Sequence, residues 1–326
     1  SRGMKIAENS LMALEQAPFS SLGIKETLTF SVGISSTMAD GSNDIANLPR
    51  QADMAMYAAK QSVREKIQCY HQNIDSESLT LISNKLVNTI VESINTGNNI
   101  ELHYQPIKRL QNSEVYYEVL LRIRKDDEFI LPKDIFTVVD RRRLEIELDK
   151  QIIHQVQAAL SSGIIPLGTG LSINISGKTL LQPFFPDLFK TLAPYIKLYN
   201  IVLEITENSL IDHMEYASEV LNNLRDSGFK IALDDFGSGY SSIRYLANMP
   251  VDIIKFDMTM TRALLDKDIN TQQIIRTTAK MILSAGYDLV MEGVETEEML
   301  EVDTDAGATH IQGYLLGRPQ KTPEEL

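Results

Sequence analysis

One cysteine, no tryptophan and no long apolar run set the first limits on this chain of 326 residues. With Cys69 alone, neither an internal disulfide nor a thiolate metal cluster can form, which agrees with a reducing compartment. No stretch approaches the roughly 18 to 20 apolar residues that span a bilayer, and the N-terminus lacks the basic-then-apolar layout of a signal peptide. A cytoplasmic location without membrane contact by this segment is therefore expected, whether or not a longer parent is anchored upstream. Positive charge is also scarce, with 31 Lys and Arg against 44 Asp and Glu, a formal charge of −13. Such a field repels duplex nucleic acid and anionic lipid, so general nucleic-acid binding is excluded and any phosphate ligand needs local cations.

What is present fits a globular protein: 43% hydrophobic and 23% charged residues can build a sizeable core. The length suits about two domains, or one large β/α barrel with an additional piece. Periodicity predicts a helix over 5–16, a strand over 27–35, a helix over 44–61 and a short strand at 66–70. A block of about 70 residues buries little surface for an independent fold, so 1–72 reads as part of a larger domain. A polar periodic helix over 75–95, closed by Gly97-Asn98-Asn99, reads as a linker spanning 73–99.

From residue 100 to 326, short β-rich runs alternate with amphipathic stretches. Strands are predicted at 101–105, 114–124, 171–175, 201–206, 230–234, 253–256, 288–292 and 310–312. Eight strands with mostly helical crossovers indicate an α/β fold, a TIM-like barrel. The connection between the first two strands is too short for a helical crossover and suits a hairpin, so one barrel strand is expected to run antiparallel.

The strand ends carry the chemistry. Asn174 closes one predicted strand, Glu204 lies on the next and Asp234-Asp235 on the third, at intervals of 204 − 174 = 30 and 234 − 204 = 30. Lys255, Asp257, Glu292 and Gln312 lie at the ends of the last three strands, and Glu118 comes from the second. Barrel enzymes keep their reactive groups at this face. A single acid at such a place reads as a helix cap or a solvated loop residue; the whole set does not. Acids packed this closely need protons or metal ions, because two like charges about 4 Å apart repel by about 4 kcal/mol at an effective dielectric of 20. Oxygen donors without histidine or cysteine favour hard cations such as Mg²⁺ or Mn²⁺. The run from Asp235 to Ser242, with Gly237 and Gly239, lets the backbone turn tightly beside a ligand.

With these motifs in place the sequence resembles the EAL family of cyclic di-GMP phosphodiesterases from about Tyr104 to Pro319. The resemblance rests on Gln105-Pro106-Ile107, Glu118-Val119-Leu120-Leu121-Arg122, Asn174, Glu204-Ile205-Thr206-Glu207, Asp234-Asp235-Phe236-Gly237, Lys255-Phe256-Asp257, Glu292-Gly293-Val294-Glu295 and Gln312-Gly313-Tyr314. It implies hydrolysis of cyclic di-GMP to the linear dinucleotide by two ions, Mg²⁺ or Mn²⁺, and a homodimer formed through the barrel. Glu118, Asn174, Glu204 and Asp234 would hold the first ion, and Asp234, Asp235 and Glu292 the second. Lys255 would orient or deprotonate the attacking water. Gln105, Leu120, Arg122, Gly237, Asp257, Gln312 and Pro319 would meet the nucleotide, with Arg122 as a phosphate clamp and Gln312 also in the outer shell of the metals. Glu207 and Glu295 would support the loop after Asp235. Val119 stands where the family's naming motif has alanine, adding two methyl groups near the metal strand. The alternative reading is a receptor that binds cyclic di-GMP without cutting it.

The first 72 residues resemble the C-terminal part of a GGDEF domain, through Phe30-Ser31-Val32-Gly33-Ile34-Ser35 and Ala52 to Lys60. The signature Gly-Gly-Asp-Glu-Phe is absent, so this segment is read as unable to make cyclic di-GMP.

Overall fold

The computed structural model describes residues 2–16, 30–36, 48–61, 66–70, 84–112, 114–206, 214–237, 249–266 and 268–323. It divides into two compact units, Ser1–Asn84 and Lys85–Leu326.

In the first unit, strands β1 (Val32–Ile34) and β2 (Ile67–Cys69) pair in parallel, with helices at Arg2–Gln16 and Leu48–Gln61. Gly33 is required where β1 meets the second helix. A Cβ there would lie 1.9 Å from the Ala52 carbonyl oxygen and 2.2 Å from the Met56 nitrogen, both backbone atoms that cannot swing aside. The predicted strand over 27–35 is shorter, and its residues 27–29 lie outside the described ones, as do 44–47 of the predicted helix.

The second unit opens within the helix Asn84–Thr96, whose Ile90 and Ile94 are fully buried. Of the stretch 73–99 expected as a linker, 73–83 lies outside the described residues. The strands that follow are β3 (Ile100–Arg109), β4 (Val115–Lys125), β5 (Glu128–Phe129), β6 (Gly170–Asn174), β7 (Asn200–Thr206), β8 (Lys230–Phe236), β9 (Ile253–Phe256), β10 (Asp288–Met291) and β11 (His310–Gln312). Pairing runs β3-β11-β10-β9-β8-β7-β6-β4, and β4 returns to β3, closing a barrel of eight strands; β5 extends β4 at the edge. The strand β3 is antiparallel to both neighbours and every other pair in the ring is parallel. The expected reversal is thus present. Its hairpin is tighter than the polar run suggested, because β3 continues to Arg109, whose amide donates to the Glu114 carbonyl at 2.8 Å.

Helices cover the outside of the ring and a dry layer fills its centre. Ile107, Val202, Ala232, Ile253 and Val290 form one buried cluster, with Tyr116 packed against it. Strand side chains alternate faces with a period of two. The next inward position toward the rim is therefore two residues further along each parallel strand, and two residues back on β3. Those positions are Gln105, Glu118, Glu204, Asp234, Lys255 and Glu292.

Candidate active site

At the rim, Lys255 stands at the centre of a ring of acids and is only 1% exposed. Its Nζ lies 2.7 Å from Glu204 Oε2, 2.7 Å from Glu292 Oε1, 3.4 Å from Asp234 Oδ1 and 3.9 Å from Glu118 Oε2. Burial alone would pull the ammonium down, but Glu118, Glu204, Glu292 and Asp234 outweigh it and hold Lys255 well above its ordinary pKa. The acids shift upward too, but in them burial is the cause that prevails. Burial raises Glu204 against the pull of Lys255, and it pushes Glu292 up to about 7.

Two amides hold Glu118. Asn174 Nδ2 donates to Oε1 at 2.7 Å and Gln312 Nε2 donates to Oε2 at 2.6 Å. Gln312 also reaches Gln105 Oε1 at 3.4 Å, and the Gln105 amide reaches the Gly317 carbonyl at 3.5 Å. Of the two 30-residue intervals in the sequence, the first is direct register, with Asn174 opposite Glu204 across β6 and β7; in the second Glu204 sits opposite Ala232, and Asp234 lies two residues further toward the rim, opposite Thr206.

The Asp pair needs a break in the strand. The register between β8 and β9 shifts between Leu233 and Phe236, and Asp235 adopts φ of 55°, a left-handed conformation uncommon outside glycine. The bulge leaves Asp234 on the inward face and sets Asp235 at the rim. Burial, then Asp234 and Asp257, raise the Asp235 carboxyl. Gly237 follows with φ of 98°; residues 238–248 of the loop lie outside the described ones, as does Glu207.

Arg122 is half-buried on β4, on the same face as Glu118 and Leu120. Among the described residues its side chain makes one hydrogen bond, from Nη1 to the Leu121 carbonyl at 2.8 Å, and most of the guanidinium fork is left for other partners. Burial lowers its pKa against Tyr314 and Glu118. Pro319 lies in the segment that comes back across the rim after β11, where Gln320 pairs with Tyr104 through bonds of 2.7 and 3.0 Å. Asp257 has its side chain committed to the helix Met258–Ala263, accepting from the Met260 amide at 3.1 Å and from Thr259 Oγ1 at 2.7 Å. Glu295 is exposed and stands 3.6 Å from Arg262.

Ser172 was not singled out in the sequence. It is fully buried on β6 and its Oγ donates to Glu204 Oε1 at 2.5 Å. A serine in a β-rich run carries no distinguishing pattern; only its place two residues before Asn174 on the inward face could have marked it.

As folded, no three acids or histidines among the described residues converge around one point as a metal cage, because the carboxylates turn toward Lys255. The donors nevertheless fit a hard cation. Glu118, Glu204, Asp234, Asp235 and Glu292 against Lys255 leave 5 − 1 = 4 formal negative charges. Asp234 Oδ1 is buried, accepts no hydrogen bond among the described residues and has the Lys255 ammonium 3.4 Å away. A buried carboxylate oxygen with unused acceptor capacity in an over-acidic ring is one that a divalent ion would satisfy.

A barrel whose strand-end rim carries acids, amides, a buried lysine and an arginine belongs to the class of β/α barrels with a polar site at the C-terminal ends of the strands. Comparison with known proteins narrows this. Residues 87–319 match the EAL domain and residues 2–66 match the diguanylate cyclase GGDEF domain. The chain belongs to the EAL-domain family. It is 31% identical over 305 residues to the cyclic di-GMP phosphodiesterase PdeB of Shewanella oneidensis, covering 89% of this chain and 35% of that protein. Identity is also 31% over 233 residues to the cyclic di-GMP phosphodiesterase PdeF of Escherichia coli, covering 70% and 31%. The chain thus spans about a third of the length of these relatives. Among solved structures, the PaMucR phosphodiesterase in complex with c-di-GMP superposes with a TM-score of 0.63 at 25% identity, covering 72% of this chain and 97% of that one. The EAL enzyme Bd1971, in its cAMP and cyclic-di-GMP bound form, gives 0.65 at 27% identity, covering 76% and 69%.

Proposed function

We propose that this chain is a metal-dependent phosphodiesterase that opens cyclic di-GMP at one phosphodiester to the linear dinucleotide. The observation that carries this reading is the complete ring of Glu118, Asn174, Glu204, Asp234, Asp235 and Glu292 around Lys255. Similarity to relatives named as cyclic di-GMP phosphodiesterases supports the same substrate.

In this reading Glu118, Asn174, Glu204 and Asp234 hold one Mg²⁺ or Mn²⁺, and Asp234, Asp235 and Glu292 hold a second. Bound ions of this kind polarise phosphoryl oxygens and lower the pKa of water. Arg122 grips a phosphate with the free part of its fork, since a planar donor array matches phosphate geometry better than an ammonium. Lys255 is a fixed donor that orients the attacking water, because four acids keep its proton in place. The water oxygen bonds to phosphorus, one P–O bond of the ring breaks, a proton given up by the water ends on the leaving oxygen, and the single linear product carries a terminal phosphate and a free hydroxyl. Gln105, Leu120, Gly237, Gln312 and Pro319 line the approach to the nucleotide, while Asp257 contributes through the helix it caps. Glu207 and Glu295 brace the loop that follows Asp235.

The chain divides into a GGDEF-like segment to about residue 72, a connector over 73–99 and the phosphodiesterase barrel from residue 100. No helix among the described residues is long and apolar enough to cross a membrane, and we place this segment in the cytoplasm. A second copy of the barrel is the expected partner, and Ile269 and Ile274, which expose 76% and 67% of their surface near the start of the helix Ile269–Ser284, are apolar positions that such a contact would cover. Incubation of the purified chain with cyclic di-GMP and Mg²⁺ or Mn²⁺ tests the central reading, and linear product is the expected result. Tight binding without cleavage in either metal would overturn it in favour of a receptor.

A further inference from the structure

The inward face of β6 carries Gly170, Ser172 and Asn174, and the middle residue is unlike the layer on which it sits. Across the strands, Ser172 is level with Glu118 on β4 and with Val202 on β7, so it lies where the dry cluster meets the acidic ring. The neighbouring inward positions Ile107, Val202, Ala232, Ile253 and Val290 are all aliphatic. A hydroxyl with no exposure in such surroundings is unfavourable unless it is hydrogen-bonded. Its one partner among the described residues is Glu204, whose Oε1 receives the Ser172 proton at 2.5 Å. The other oxygen, Oε2, receives Lys255 at 2.7 Å.

These two donors come from opposite sides of Glu204, one on β6 and one on β9, and both are fully buried. Two fixed donors on two different oxygens define the plane of a carboxylate. With Ser172 removed, the carboxyl of Glu204 keeps a single anchor and can rotate about its terminal torsion, which is intrinsically broad. Alanine at 172 would also leave Oε1 buried without a partner.

We infer that Ser172 is a positioning residue of the metal site: its hydroxyl fixes the Glu204 carboxylate in the orientation required to bind a divalent ion. The inference rests on the metal-dependent reading above. Partners that orient a metal ligand typically account for 10- to 100-fold in affinity or activity.

The test is Mn²⁺ binding to the full chain, followed by calorimetry in the absence of nucleotide, for the unmodified protein and for Ser172→Ala and Ser172→Thr. Ser172→Ala should weaken Mn²⁺ by at least about 10-fold while the melting temperature of the chelated protein moves little. Ser172→Thr keeps the hydroxyl and should restore most of the affinity. The metal concentration needed for half-maximal hydrolysis should rise in Ser172→Ala by the same factor, with the rate at saturating metal recovering more than the rate at low metal. Unchanged Mn²⁺ affinity in Ser172→Ala, or equal weakening in the alanine and threonine variants, would overturn the inference while leaving the metal site intact. Failure of the unmodified chain to bind Mn²⁺ would overturn the metal-dependent reading itself, and the inference with it.

Discussion

Replacing Lys255 by methionine removes the one cation at the centre of the acidic ring while roughly preserving side-chain volume. Each 2.7 Å contact, to Glu204 and to Glu292, is worth about 6 kcal/mol of attraction at an effective dielectric of 20. Desolvation of a fully buried ammonium offsets most of this, and the measured cost of breaking one partner out of a buried ion pair is about 3–5 kcal/mol. The barrel unit, Lys85–Leu326, falls in the size range where 1 kcal/mol shifts the melting temperature by about 2–4 °C. In chelator at pH 8, Lys255→Met should therefore melt roughly 6–20 °C below the unmodified protein. The deficit has a definite pH dependence. Burial already raises Glu292 to about 7 against an ordinary 4.5, and loss of the neighbouring positive charge moves the acids of the ring further up. Acids whose folded pKa exceeds the unfolded value stabilise fully below about 4.5 and lose that stability as pH rises through the folded value. The deficit should accordingly shrink toward pH 5 and grow toward pH 8. Excess Mn²⁺ should recover part of it, since a ligand that binds only the folded state stabilises by mass action. Thermal unfolding followed by circular dichroism measures all three. A variant within about 1 kcal/mol of the parent at pH 8 in chelator, or a deficit that grows on acidification, would refute the account of Lys255 as the counter-ion of the ring.

Three further outcomes are expected. Arg122→Ala should weaken cyclic di-GMP roughly 10- to 150-fold in a fluorescence competition assay, the loss of a charge-assisted contact worth about 1.5–3 kcal/mol; unchanged affinity would remove Arg122 from the phosphate. Asp303 is fully buried, neither of its carboxylate oxygens accepts a hydrogen bond among the described residues, and burial pushes it up to about 7 despite Arg276. It therefore costs stability as pH climbs from about 4 to 7, so Asp303→Asn should gain up to about 4 kcal/mol at pH 8 and nothing near pH 4 in urea unfolding, and equal gains at both would contradict this. Gly313→Ala should destabilise the barrel by about 1–3 kcal/mol or more, because its Cβ would lie 2.0 Å from the Val294 carbonyl oxygen and 2.4 Å from the Val294 nitrogen. A melting temperature equal to that of the parent would show that this crossing can open.

The barrel and most of its rim were legible because both follow from the strand period. Once Asn174, Glu204 and Asp234 lie near the ends of successive parallel strands, the register sets Asn174 beside Glu204 and Asp234 two residues further along the same inward face. The reversal of β3 was legible from the shortness of its hairpin. Harder to read were contacts that depend on where a side chain bends after leaving its strand. The sequence places Lys255 among acids, but not the direct pairing of its Nζ with both Glu204 and Glu292. Asp257 looks like a rim acid in the sequence and spends its oxygen on a helix cap, because it is also the residue before the turn Met258–Ala263. Ser172 was invisible for the opposite reason, since its residue type is common and only its burial makes it informative.

The reversal of β3 also decides where the barrel is moored. In a ring of parallel strands the chain enters each strand at the floor and reaches the rim only at its far end. Here β3 starts at the rim, directly after the helix Asn84–Thr96 and the turn at Gly97-Asn98-Asn99. From that entry the strand runs downward through Gln105, which pairs in register with Glu118. The path from that helix to the first acid of the ring is thus Ile100 to Gln105 along the chain and one rung of the ladder. The lead-in and the mouth share one edge of the barrel.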